Sequence, residues 1–124
     1  MRRLIVLPLL AIIGCASNVH LASVPHPCSQ GNTYDKGIAC INPANLEDAR
    51  PYGVHTHRGG HVDFWLMQGS DELTVDSDVL ENTGHDGPHA WGDVKKDAVV
   101  GQHYHYTAHK GAPMKADPEI IIDY

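Results

Sequence analysis

The sequence predicts an all-β domain, a Greek-key β-sandwich of about seven short strands. Three observations carry this expectation. No stretch shows a long amphipathic helical period. Short extended runs recur between Gly, Pro, Asn and Asp clusters. Within those runs apolar and polar residues alternate, as a half-buried strand requires.

The elements follow in chain order. Tyr52 to His57 reads as a strand, and Arg58-Gly59-Gly60 as a tight turn in which glycine accepts positive φ. His61 to Met67 reads as the next strand, with Val62, Phe64 and Leu66 on one face and His61, Asp63, Trp65 and Met67 on the other. Gln68 to Asp71 turns the chain into a short strand, Glu72 to Val75. Asn82 to Asp93 reads as a long loop bearing Gly and His, with Trp91 packed beneath it. Gln102 to His109 is rich in Tyr and Thr and reads as a strand with Tyr104 and Tyr106 turned inward. Lys110 to Pro118 is a loop, and Glu119 to Asp123, with three consecutive isoleucines, a buried last strand. A short helix is expected around Asn45 to Arg50.

The N-terminus reads as an export signal. Arg2 and Arg3 form a positive start, and Leu4 to Ile13 form an apolar run too short to span a bilayer. Ile12-Ile13-Gly14-Cys15 then resembles the lipobox of bacterial lipoproteins. That resemblance implies cleavage before Cys15, acylation of Cys15 and insertion of the acyl chains into the bilayer. Ala16 in the next position implies sorting to the outer membrane, with the domain facing the periplasm. An ordinary signal peptide cleaved after Ala16 is the alternative. The division is therefore a signal peptide over 1–14, a lipidated Cys and tether over 15–27, and one folded domain over 28–124.

Charge and cysteine content fit this address. Removing the first fourteen of 124 residues takes Arg2 and Arg3 away and leaves seven Lys and Arg against fifteen Asp and Glu, a formal charge of −8 with His neutral. An acidic chain argues against a nucleic-acid partner, which wants a basic face. With Cys15 acylated, Cys28 and Cys40 remain, and an even pair in an exported chain predicts a disulfide.

Two segments carry a family resemblance. Gly60-His61-Val62-Asp63-Phe64-Trp65-Leu66 is similar to the Gly-, Val- and Trp-bearing strand of cupredoxin-like domains. Tyr104-His105-Tyr106-Thr107 followed by Asp117-Pro118-Glu119-Ile120 resembles the ending of small exported bacterial proteins with a cupredoxin-like, Ig-like sandwich. The resemblance implies a fold more than an activity. His109 and Met114 have the His-to-Met spacing of the plastocyanin ligand loop, but Tyr106 stands where that loop has its Cys. A blue-copper centre needs that thiolate.

The ten histidines point to a colourless metal site instead. His55 and His57, and likewise His103 and His105, are two apart on expected strands, so each pair projects from one face. If the two strands are neighbours, and the second stays regular as far as His109, four or five imidazoles meet, a donor set suited to Cu(II) or Zn(II). Asp63 is a carboxylate that could orient or complete such a shell. His85 and His89 in the expected loop are a weaker pair.

The chain does not read as an enzyme. It lacks the G-x-S-x-G elbow and the H-E-x-x-H helix. Gly53-Val54-His55-Thr56-His57 resembles the cupin H-x-H, although a cupin-like metalloenzyme would need His61 or Asp63 in place of its Glu ligand. The reading is a binding module, with copper or zinc as candidate cofactor. The rival is a metal-free domain that binds an envelope protein through an exposed sheet face around Trp65.

Overall fold

The computed structural model describes residues 28, 37–111 and 114–124. The expected signal peptide over 1–14 and the expected lipidated Cys15 and tether over 15–27 lie outside the described residues. The domain is an all-β sandwich of eleven strands among those residues. They are β1 (Ile38–Asn42), β2 (Asn45–Arg50), β3 (Gly53–Thr56), β4 (His61–Leu66), β5 (Leu73–Asp76) and β6 (Leu80–Asp86). β7 (His89–Val94), β8 (His103–His105), β9 (Thr107–Lys110), β10 (Met114–Ala116) and β11 (Glu119–Ile122) complete the order. A five-stranded sheet runs β2-β1-β4-β7-β6, and two three-stranded sheets run β10-β9-β5 and β3-β11-β8. Most pairs are antiparallel, but β1 with β4 and β3 with β11 are parallel.

One core collects the inward residues of all three sheets. Val62, Phe64 and Leu66 of β4 are fully buried, as their alternation predicts. They meet Ile120 and Ile122 of β11, Val54 of β3 and Leu73 of β5 in the same core. Tyr106 is buried too, with its ring 4.7 Å from Phe64 and tilted 53° to it. Its hydroxyl has no hydrogen-bond partner among the described residues, and burial pushes its ionisation well above the ordinary tyrosine range.

Four local expectations are corrected. Asn45 to Arg50 is strand β2, not helix. Its buried residues, Leu46 and Ala49, have the i, i+3 spacing of a helix because the β1–β2 register shifts between Ile41 and Asn42. Residues 82–93 form most of the hairpin β6–β7 rather than a loop. The turn is Gly87-Pro88, where the Gly87 φ of +58° and the fixed negative φ of proline suit a type II′ connection. Residues 110–118, expected as a loop, carry β10 paired with β9, whereas Arg58-Gly59-Gly60 is the expected tight turn, with Gly59 at a φ of +73°, and joins two sheets, since β3 and β4 do not pair. Finally, the expected strand 102–109 is divided. β8 belongs to one three-stranded sheet and β9 to the other, with Tyr106 between them.

Gly37 fastens the two layers. Its N–H donates to the His55 carbonyl of β3 at 2.9 Å, and its carbonyl accepts from Asp63 N–H of β4 at 2.7 Å. Its φ is +83°, and a Cβ there would meet the His61 carbonyl oxygen at 2.7 Å. Glycine is required on both counts.

Candidate functional site

The outward face of the five-stranded sheet is built by the register of β4 against β7. His61 lies opposite Asp93, Asp63 opposite Trp91, and Trp65 opposite His89. Directly opposed residues on one face are within side-chain reach, so six functional groups share a single patch.

The patch has an aromatic half and a polar half. The Trp65 and His89 rings stack at 4.0 Å between centroids and 8° between planes, and His89 meets Trp91 at 5.0 Å. Trp91 lies across Gly84 of β6. A Cβ at Gly84 would come within 2.6 Å of the indole, so only glycine lets the ring rest on the sheet. On the polar side, the His89 Nε2 is 2.7 Å from Asp63 Oδ1, and the His61 Nε2 is 3.4 Å from the same oxygen. The His61 Nδ1 donates to Asp93 Oδ1 at 2.8 Å, and Asn82 Nδ2 donates to Asp93 Oδ2 at 3.2 Å. The chain Trp65–His89–Asp63–His61–Asp93–Asn82 is thus continuous.

Electrostatics follow from that chain. The hydrogen bond to Asp93, with the charge of Asp63 beside it, raises the His61 pKa above its ordinary value. The reciprocal bond from His61, helped by Asn82, lowers that of Asp93. A raised histidine pKa stabilises the fold at low pH. The contribution is complete below the unfolded value of about 6.5 and is lost as pH rises through the folded value. In the presence of a chelator, the Tm difference between wild type and His61→Gln should therefore be larger near about pH 5.5 than near about pH 8.5. Equal differences at both values would show that protonation of His61 adds nothing to stability.

The histidines singled out from sequence are distributed differently. His55 and His103 both lie opposite Ile121, on the two sides of β11. The condition for a pooled site, neighbouring β3 and β8, is not met. Two strand spacings place their backbones about 9.5–10 Å apart. His55 Nδ1 bonds Asp123 at 2.8 Å. His57 stacks on Tyr124 at 5.0 Å and donates to the Arg58 carbonyl. His103 and His105 approach Glu119 at 3.4 and 4.0 Å, and His105 Nδ1 also donates to the Asp117 carbonyl. His109, in the other three-stranded sheet, is 3.7 Å from Asp76. His85 pairs with Glu72 at 3.2 Å. Among the described residues no group of three or more His, Cys, Asp or Glu side chains is gathered to hold a metal ion.

The other candidates are placed as follows. Cys28 and Cys40 form a disulfide. Trp65 is half-buried on the outward face, in register with Cys40 of β1. Sequence reasoning aligned His61, Asp63 and Trp65 but missed Trp91 and Asp93 as their partners, because the β4–β7 pairing has no local signal. No family model, curated protein or solved structure matches this chain.

Proposed function

We propose that the chain is an exported lipoprotein, held in the outer membrane by an acylated Cys15, whose cupredoxin-like domain faces the periplasm as a binding module for another envelope protein. The observation that carries this reading is the half-buried Trp65, fixed by its stack on His89 on the outward face of the five-stranded sheet. A rigid aromatic anchor beside a polar rim is the composition of an interaction hot spot. The rim is acidic: Glu81, Asp86 and Asp93 share the outward side by register. A partner with a basic rim fits it. The Cys28–Cys40 disulfide supports an oxidising compartment.

The test is photo-cross-linking from position 81 of the full-length protein in its native envelope. A discrete adduct is expected, and Trp65→Ala should remove it while shifting Tm by only a few degrees. Replacing His103 and His105 together should leave it intact. An adduct that a folded Trp65→Ala variant retains would reject Trp65 as the anchor.

A further inference from the structure

We propose that His61, Asp63 and His89 form a binding site for a divalent transition-metal ion, Zn(II) or Cu(II), on the outward face of the five-stranded sheet. The donors differ from the strand histidine pairs to which the sequence drew attention. The site rests on reading this face as the ligand face, and adds an ion to the protein partner proposed for it.

The geometry of His61 is the starting point. Its Nδ1–H is engaged by Asp93. In the neutral ring the lone pair is then on Nε2, which faces Asp63 Oδ1 at 3.4 Å. Two electron-rich atoms so placed call for a cation between them, a proton where the ring is charged and a metal ion where it is neutral. The spacing is also that of two ligands sharing one ion: bonds of 2.0–2.1 Å in a tetrahedral shell set donors about 3.3–3.4 Å apart. Asp93 supplies the carboxylate that fixes the tautomer of a metal-bound imidazole, and Asn82 holds Asp93.

His89 brings the third donor. Its Nε2 addresses the same Asp63 oxygen at 2.7 Å, closer than two ligands of one ion stand. The three donors therefore surround Asp63 rather than a common centre, consistent with the lack of a gathered cluster. Binding needs the His89 Nε2 to stand about 0.6 Å farther from the Asp63 oxygen. In the neutral rings the ion takes the lone pair already on His61 Nε2, while the proton on His89 Nε2 moves to its Nδ1 through solvent so that Nε2 can bind; a proton is released only where an imidazolium is the starting form. Two imidazoles and a carboxylate leave a fourth position for water or a partner side chain, as in exchangeable rather than closed zinc sites.

The test is calorimetric titration of the full-length, detergent-solubilised protein with Zn(II) at neutral pH, against a weak competing chelator. A single saturable site is expected. His61→Ala and His89→Ala should each weaken it at least about 100-fold, and Asp93→Asn about 10- to 100-fold. His103→Ala/His105→Ala should leave it within about twofold. Weak multi-site uptake, or an affinity unchanged in His61→Ala, overturns the site. The unmodified protein gives an independent reading. Both tryptophans of the chain flank His89, so one equivalent of Cu(II) should quench most of their fluorescence and a strong chelator should restore it. Unquenched emission overturns the site without any variant. A Trp65-dependent adduct with no metal uptake defeats the ion site alone, whereas uptake through His61 and His89 with no adduct supports the ion site and defeats the protein partner alone.

Discussion

Phe64→Ala should cost about 3–5 kcal/mol of folding free energy, the range for truncating a buried aromatic residue. Phe64 is fully buried in β4, with β1 on one side of that strand and β7 on the other. Removing its ring opens a cavity in the core and takes away the tilted contact with Tyr106. A domain of this size is stable by only about 5–15 kcal/mol, so the variant should stand near the edge of unfolding. Urea unfolding at constant slope measures the loss as a fall in midpoint. A loss under about 1 kcal/mol would remove Phe64 from the centre of the core. The neighbour Trp65 makes the contrast, since its substitution should alter binding and barely touch folding. Adjacent residues with opposite consequences are what strand alternation demands.

Replacing both Cys28 and Cys40 by Ala should cost about 3 kcal/mol, by the loop entropy that the bridge removes from the unfolded chain. The two cysteines are twelve positions apart. Cys40 is fully buried, so part of the loss comes from its packing. Thermal unfolding of the oxidised protein and the double variant measures the difference. Coincident curves would mean that the bridge joins segments already held together without it.

The parts of the fold that were legible in the sequence are those set by local alternation. β4, β5 and β11 follow from their own residues, and Tyr106 turns inward as the pattern of 102–109 requires. What escaped was set by pairing. β2 looked helical because a register shift in its partner changes the spacing of buried residues. The β6–β7 hairpin looked like a loop because its glycines read as breaks. Gly87 does mark a turn, but Gly84 is inside a strand, where its missing side chain seats Trp91. The candidate site shows the same division. His61, Asp63 and Trp65 were aligned by period two, whereas Trp91 and Asp93 join them only through the register of β7. The histidine pairs of β3 and β8 had the right local spacing, but β11 intervenes, which no property of either segment discloses.

The Cys28–Cys40 bridge has a mechanical meaning for an anchored protein. With lipid on Cys15, thirteen residue steps separate the membrane from the staple at Cys28, a leash of at most about 45 Å. With the bridge open, the first fastened point among the described residues is Gly37, where hydrogen bonds to β3 and β4 take hold. The leash then spans twenty-two steps, at most about 75 Å. Because Cys40 is in register with Trp65, the leash is tied beside the proposed binding face. On the proposed anchor, oxidation would shorten the greatest radius that this face can sweep from the membrane, and a reductant would widen it.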